Sequence, residues 1–331
     1  MNAAVPTAAL QAAAAETLTL LVRSIRMEAE GIHAFELVDP DGGDLPETEA
    51  GAHVDVHLPG GLVRSYSLAG DPQDRKRWLL GVLHEPKSRG GSRAMHEQVR
   101  VGQRLTIGRP RQAFALKPGT GRALLLAGGI GITPLKAMAH ALSDAGKPFD
   151  LHYCARSPKH AAFVEALKAV TPQGHLHLHF DDGDPSQGLD IAALLKQPEP
   201  GTQVYYCGPG GFMQACALAT THWPAGTVHC EHFKAPEPSA SALPAGSFQV
   251  HLSKQGMSLQ VAPDQTIVRA IELAGLRVPT SCLSGLCGAC KVNYLEGEVE
   301  HNDYILTDEE KAHCLTVCVS RARSPRLVLD L

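Results

Sequence analysis

Three cysteines fall within nine residues, Cys282-Leu-Ser-Gly-Leu-Cys287-Gly-Ala-Cys290, and Cys318 follows after 27 intervening positions. The spacing C-x4-C-x2-C with a distant fourth cysteine is one that holds a [2Fe–2S] cluster through four thiolates. Such a cluster concentrates negative charge, so backbone N–H groups must face its sulfurs. Ser284, Gly285, Gly288 and Ala289 are small enough to let the chain wrap that closely. Zinc bound by Cys287, Cys290, Cys314 and Cys318 is the competing reading. It leaves Cys282 and the glycine-rich loop without a role. Cys314 lies off the cluster spacing and is expected to be a core or near-surface thiol.

Two further sets of residues carry chemistry. Arg64-Ser-Tyr-Ser67 follows a turn at a strand end, with Arg89-Gly-Gly-Ser92 about 22 residues later. An arginine grips a phosphate in a fork, a tyrosine ring lies against a flavin, and a glycine-rich loop offers a nest of N–H donors. Gly128-Gly-Ile-Gly131-Ile-Thr-Pro134 joins an apolar run to a helical one. Its glycines permit a tight turn, and Pro134 suits the first helical turn, whose N-terminus would face a pyrophosphate. The segment is not G-x-G-x-x-G. Asp150, about 20 residues on, starts a strand instead of ending one and is expected to be a solvated strand end. Cys207-Gly-Pro209 closes another apolar strand at its carboxyl end, where doubly wound sheets bind ligands.

These residues need three kinds of element to hold them. From Glu16 to Leu116 short alternating runs such as His53-Val-Asp-Val-His-Leu58, a turn at Pro59-Gly-Gly61, Leu62 to Leu68, and Trp78 to Leu83 predict an antiparallel sheet or small barrel. From Gly121 to Phe233 buried strands (Ala123 to Ala127, Phe149 to Cys154, Val204 to Cys207) alternate with helices, the first from Pro134 to about Ala145. That is the rhythm of a doubly wound α/β domain. Lys234 to Ser247 is rich in Pro, Ala and Ser and reads as a linker. The last block opens with two strands around Gly256, then a helix from about Gln265 to Ala274 that ends at Gly275.

The 331 residues carry 44% hydrophobic and 19% charged side chains and a net charge of −4. That balance gives no reason to expect nucleic-acid binding, and no stretch reaches the roughly 18 apolar residues a membrane span needs. Met1 to about Ala15 is Ala-rich without a basic start and reads as a frayed tail, not a signal peptide. Nine cysteines, five of them in the last fifty residues, without an export signal point to a reducing cytoplasm. His175, His177 and His179 share one strand face and are expected to be polar surface; Lys159-His160 and Arg321 to Arg326 are expected to be solvated.

Cys282 to Cys290, together with Leu295-Glu-Gly297, Leu306-Thr-Asp-Glu-Glu310 and the ending from Cys318-Val-Ser320 to Leu331, resembles the ferredoxin domain of the phthalate dioxygenase reductase family, which includes vanillate demethylase reductase subunits. The resemblance spans roughly residues 17 to 331, with motifs in all three blocks in the family's order. Beyond the disordered or frayed tail (1–16) and the linker (234–247), it implies an antiparallel β-barrel that binds FMN (17–118), a doubly wound α/β domain for NADH (119–233) and an α+β plant-type ferredoxin domain (248–331). It assigns the flavin to Arg64, Ser65, Tyr66, Ser67, Gly91 and Ser92. The dinucleotide goes to Gly129, Gly131, Thr133, Pro134, Cys207, Gly208 and Pro209, with Cys207 beside the nicotinamide. Glu231 and Phe233 match the family's Glu-x-Phe ending near the flavin, and Ser67, Cys207 and Glu231 would act in catalysis. Cys282, Cys287, Cys290 and Cys318 would hold the cluster.

The implied activity is electron transfer from NADH to a terminal Rieske-type oxygenase, a dioxygenase or demethylase of aromatic degradation, by a monomer. NADPH stays open, since Arg156 and Ser157 follow the second strand where a 2′-phosphate is read. A cytochrome P450 acceptor, and a zinc or redox-sensing binding module without turnover, are the alternatives. A dihydroorotate-type dehydrogenase subunit is disfavoured, because its fourth cysteine lies closer to the third.

Overall fold

The computed structural model describes residues 17–86, 90–112, 114–117, 121–172, 174–233, 246–280 and 282–331. The expected tail, Arg89 and residues 234–245 of the expected linker lie outside the described residues.

The first block folds into β1 (Thr17–Ala29), β2 (Ile32–Val38), β3 (Ala52–Leu58), which is buried at every position but His57, β4 (Leu62–Ser67), β5 (Trp78–Leu83), β6 (Arg104–Gly108) and β7 (Arg111–Gln112). They form an antiparallel sheet in the order β4-β3-β6-β1-β2-β5, with β7 on β3. Just past β4, Leu68 bridges Leu80 and the Ala69 N–H donates to Leu79 O at 2.8 Å, so the chain beyond one end strand meets the other and curls the sheet into a barrel. Val22, Phe35, Val54, Val56, Leu80 and Ile107 fill it, each contributing about 2 kcal/mol by leaving water. Helix α1 (Gly91–Gln98) presses Met95 onto this core.

In the second block β8 (Ala123–Gly128), β9 (Phe149–Ala155), β10 (Leu176–Phe180), β11 (Gln203–Cys207) and β12 (Val228–Glu231) form a parallel sheet in the order β10-β9-β8-β11-β12. Helices α2 (Ile132–Asp144) and α3 (Val164–Val170) belong to one core, and α4 (Ile191–Leu194) packs on α5 (Gly210–Ala219) in the other. The strand order reverses at β8, which puts the turns after β8 and β11 on either side of the switch point where such sheets bind ligands.

Asp150 is not a solvated strand end. β9 lies between β8 and β10, and Asp150 is buried there, ion-paired with Arg122 and 2.8 Å from His175 Nδ1. Burial opposes its charge, but those hydrogen bonds hold the carboxyl below its ordinary range. The three histidines face this carboxylate and its neighbour His152: His177 stacks on His152 at 4.5 Å, and His179 Nε2 lies 3.0 Å from His152 Nδ1.

The third block is a mixed sheet built from β13 (Phe248–Leu252), β14 (Met257–Val261), β15 (Lys291–Glu296), β17 (Cys314–Thr316) and β19 (Arg326–Leu329), in the order β14-β13-β19-β15-β17. A small pair, β16 (Val299–Glu300) with β18 (Arg321–Ala322), stands beside it, together with α6 (Ile267–Leu273) and α7 (Asp308–Lys311). Thr266 caps α6 by accepting from the Arg269 N–H. At its other end Gly275 has φ +79°, with Leu276 N–H on Ile271 O and Gly275 N–H on Glu272 O. This doubly bonded left-handed ending is the one glycine permits.

Arg321 corrects the expectation of a solvated basic cluster. It donates to Gln265 O, Ala262 O and Gly246 O and lies over the Phe248 ring, because β18 runs past these loop carbonyls. No helix among the described residues is long and apolar enough to cross a membrane.

Candidate functional site: a cysteine cage and a two-domain seam

Cys282, Cys287 and Cys290 occupy the loop between α6 and β15. The β15–β17 pairing (Lys291↔Thr316) brings Cys318 to them, with the Val317 N–H donating to Cys290 O at 3.2 Å. The Ser284 and Leu286 N–H groups each reach Cys282 Sγ at 3.4 Å, and the Cys282 N–H reaches Cys287 Sγ at 3.5 Å. Gly285, at φ +71°, could not be replaced without strain: a Cβ would stand 2.7 Å from Val319 Cγ2 and 3.1 Å from Asp303 Cα. Hydrogen bonds pair the thiols, Cys282 with Cys287 and Cys318 with Cys290, and each holds the second thiol of its pair below the ordinary range.

Four sulfurs, two of them already met by amide donors, fit a [2Fe–2S] cluster, whose charge those donors would offset. Cys314 is turned elsewhere, with its Sγ–H donating to Glu310 O at 3.0 Å, so the four-cysteine zinc set loses a member. Among the described residues no three His, Cys, Asp or Glu groups converge as a single ion would require; a two-iron cluster spaces its four thiolates more widely.

On β4 the register sets Ser65 opposite Asp55 and Ser67 opposite His53. Ser65 Oγ donates to Asp55 Oδ1 at 2.7 Å and Arg111 Nη1 lies 2.8 Å from Asp55 Oδ2, so β4 and β7 share one buried carboxylate. His53 is 5% exposed, and burial, then Arg111, push its imidazole down to about 4. His53 Nδ1 and Arg111 Nε are buried without a hydrogen-bond partner. The Arg111 charge also reaches Cys287. On the opposite face of β4, Tyr66 packs against the barrel core. The Arg64 side chain lies across Gly91, where a Cβ would stand 2.4 Å from Arg64 Cγ and 2.8 Å from Nε.

Gly90, at φ +94°, turns the chain into α1, so Gly91 and Ser92 open that helix beside the guanidinium. An arginine fork at a helix N-terminus suits a phosphate. The phosphate of a flavin would fit between these residues. Ser92 Oγ already accepts from the Glu85 N–H at 3.1 Å.

The turns after β8 and β11 touch. A Cβ on Gly131 would stand 2.1 Å from Cys207 O, one on Gly128 2.8 Å from Pro209 Cδ, and one on Gly208 3.1 Å from Gly128 Cα. Gly131, Thr133 and Pro134 are buried, and Thr133 Oγ1 donates to Ile130 O at 3.0 Å. A cleft of about 1040 Å³ opens between the turns, lined by Gly129, Arg156, His179, Asp181, Pro209 and Phe212 among others. That volume is at the upper end for small-molecule sites and suits a dinucleotide. Arg156 lines this cleft, whereas Ser157 Oγ turns away to His160 Nδ1 at 2.8 Å.

The β11–β12 register places Cys207 beside Glu231. Across the boundary with the first block, Ser67 Oγ donates to Glu231 Oε2 at 3.3 Å, joining residues 164 positions apart. Glu231 keeps some solvent contact, yet lies among enough protein that burial pushes its carboxyl up to about 8. Burial, then the Glu231 charge, drive the Cys207 thiol well up. Phe233, two residues on, is 38% exposed.

The seam has a second tie that sequence reasoning missed. Lys136, 4% exposed on α2, donates to Ala69 O at 2.9 Å just past the Arg64–Ser67 strand, and its Nζ lies 3.0 Å from His140 Nε2. Nearby, a Cβ on Gly81 of β5 would stand 2.7 Å from Thr133 Cγ2 and 3.0 Å from the Phe163 ring. Asp55 and Arg111 were missed too. Their roles depend on strand register, for which the alternating run around Asp55 gives no sign beyond an outward polar residue.

Two family models match the chain: "2Fe-2S iron-sulfur cluster binding domain" over residues 250–323 and "Oxidoreductase NAD-binding domain" over residues 125–217. The tert-butanol monooxygenase / tert-amyl alcohol desaturase reductase subunit of Aquincola tertiaricarbonis is 50% identical over 323 residues, which is 95% of this chain and 96% of that protein. Among solved structures, phthalate dioxygenase reductase is 39% identical with a TM-score of 0.73, covering 95% of this chain and 98% of that one. A type IV self-sufficient cytochrome P450 monooxygenase is 39% identical with a TM-score of 0.84, over 95% of this chain and 41% of that one.

Proposed function

The chain belongs to the phthalate dioxygenase reductase family, and from that premise we propose how its own residues carry the reaction. It is an NADH-dependent iron–sulfur oxidoreductase that passes electrons through FMN and a [2Fe–2S] cluster to a terminal Rieske-type oxygenase. When bound, the flavin accepts a hydride's two electrons and the cluster passes them on singly. Cys282, Cys287, Cys290 and Cys318 hold the cluster. Arg64, Gly91 and Ser92 would hold the flavin phosphate and Tyr66 would meet its ring, while Ser65 is fixed by Asp55.

Gly129, Gly131, Thr133 and Pro134 shape the dinucleotide turn, and Gly208 and Pro209 shape the facing one. Cys207, fully buried with its thiol protonated, would pack beside the nicotinamide and exclude water there. Glu231 stays protonated up to about pH 8, with Ser67 Oγ donating to its Oε2 and linking it to the flavin strand. Phe233 covers this edge.

The observation that carries the proposal is the meeting of Ser67 with Glu231 beside Cys207. One strand supplies the flavin side, and the carboxyl ends of two others supply the nicotinamide side. The test is anaerobic NADH added to purified protein. Flavin and iron–sulfur absorbance should both bleach, and metal analysis should find iron and not zinc; bleaching of neither band would refute the reading.

The likeness to 41% of the self-sufficient P450 chain favours a P450 acceptor as the second reading. NADH-driven turnover of a Rieske oxygenase and of a P450, assayed side by side with this chain, separates the two. The border at 248–331 is supported by a core of its own, and those at 17–118 and 119–233 by the change from an antiparallel to a parallel sheet, since one core joins Ala29, Ile32, Ala34, Ala50 and Phe114 to the second block. A monomer in a reducing cytoplasm belongs to the same proposal and is tested by gel filtration and by thiol titration of freshly lysed cells.

A further inference from the structure

His232 directly follows Glu231, and its ring lies 5.4 Å from that of Tyr304, centroid to centroid, with 38° between the planes. Tyr304 belongs to the third block, in the segment that folds over the cysteine loop. Its N–H donates to Gly285 O at 3.1 Å, and neighbouring Asp303, buried, accepts from the Ile305 and Leu306 N–H groups. One aromatic pair therefore links the residue beside the seam carboxylate to the loop that wraps the four thiols. We infer that the His232–Tyr304 pair is a latch that docks the cluster-bearing domain on the flavin–nicotinamide body for electron hand-off and releases it for delivery to the oxygenase. The inference rests on the reading under Proposed function.

Three observations carry it. Along the chain, His232 sits one residue from Glu231, which touches the flavin strand through Ser67, so a contact here holds the third block next to the place where electrons leave the flavin. Through Tyr304, the same contact is fixed to the cluster loop by a backbone bond, so the loop moves with the ring. The contact is also slight: Tyr304 remains 45% exposed and His232 half-buried, and burial keeps the imidazole below its ordinary range and so neutral. A cluster that must meet a flavin and then a separate protein is served by a contact weak enough to open, and small interfaces within a chain leave domains free to move.

Each NADH oxidised to NAD⁺ releases two electrons and one proton. The electrons pass the latch one at a time, in two transfers that carry no atom, and two one-electron reductions of the acceptor complete the balance.

The test uses holoprotein with Tyr304→Ala and Tyr304→Phe, mixed anaerobically with NADH in a stopped-flow spectrometer. Small-angle scattering of the same samples provides a readout independent of turnover. The flavin bleaching phase should be unchanged in both variants. The cluster bleaching phase should slow roughly two- to tenfold in Tyr304→Ala, the range an aromatic pair contributes to a population, and return in Tyr304→Phe. The scattering radius should grow in Tyr304→Ala alone. An unchanged cluster phase in Tyr304→Ala, or an equal slowing of both phases, overturns the latch. Should that variant lose iron, His232→Leu tests the pair from the other side: a slowed cluster phase with an intact flavin phase supports the latch, and a normal cluster phase overturns it. A wild-type chain that bleaches neither band would instead overturn the electron-transfer reading itself.

Discussion

Replacing Glu231 with glutamine should flatten the pH dependence of stability over a defined window. Burial raises the carboxyl from an ordinary 4.5 to about 8, with the Ser67 hydrogen bond pulling the other way. A group whose folded pKa is raised stabilises the fold below its unfolded pKa, and that stability is lost as pH rises through the folded value. The wild type should therefore lose stability progressively between about pH 4.5 and pH 8. About 3.5 pK units correspond to on the order of 5 kcal/mol, and the residual solvent contact of Glu231 reduces this, so about 2 kcal/mol is the expected loss. The glutamine amide keeps a donor and an acceptor toward Ser67 Oγ and has no charge to bury. Thermal unfolding of the holoprotein at half-unit pH steps should show the midpoint falling toward pH 8 in the wild type and a shallower fall in Glu231→Gln. The flavin reduction rate should likewise fall above pH 8 only in the wild type. Identical pH slopes for the two proteins would refute the assignment of a proton to Glu231.

Three further outcomes follow from the packing. Cys318→Ala should abolish stoichiometric iron and acid-labile sulfide, whereas Cys314→Ala, which removes a thiol bonded only to Glu310 O in this fold, should retain both. Gly285→Ala adds a Cβ 2.7 Å from Val319 Cγ2 at a left-handed φ, so cluster content after purification should fall severalfold while the flavin remains; full iron content would contradict the cage. Gly91→Ala drives a methyl into Arg64, and overpacking of about 1–2 kcal/mol predicts roughly tenfold weaker flavin binding, read by equilibrium dialysis.

What could be read ahead of the structure was local. The cysteine spacing, the glycine that ends α6 and the turn Gly128–Pro134 each depend on residues near one another in the chain, and backbone geometry fixes their meaning. The helix after that turn begins at Ile132, two residues earlier than Pro134 marks it, because a proline is tolerated anywhere in the first turn. What escaped depended on which strands lie side by side. Asp150 reads as surface until Arg122 and His175 close on it. Arg321 reads as one of several solvated arginines until three loop carbonyls surround it. Asp55 gains its role only from a register that aligns it with Ser65 and brings β7 against the same strand. Lys136 looks like an ordinary helix-surface lysine, and no periodicity shows that the barrel covers it.

The meeting of the first two blocks has a consequence for how damage to this protein will present itself. Thr133 and the Phe163 ring press against Gly81, and the Lys136 ammonium is spent on Ala69 O; these contacts set the spacing that Ser67 and Glu231 require. A methyl group at position 81 would wedge the two halves apart without touching any cofactor. Sequence variants far from both ligands should thus turn up as enzymes that bind everything and transfer little.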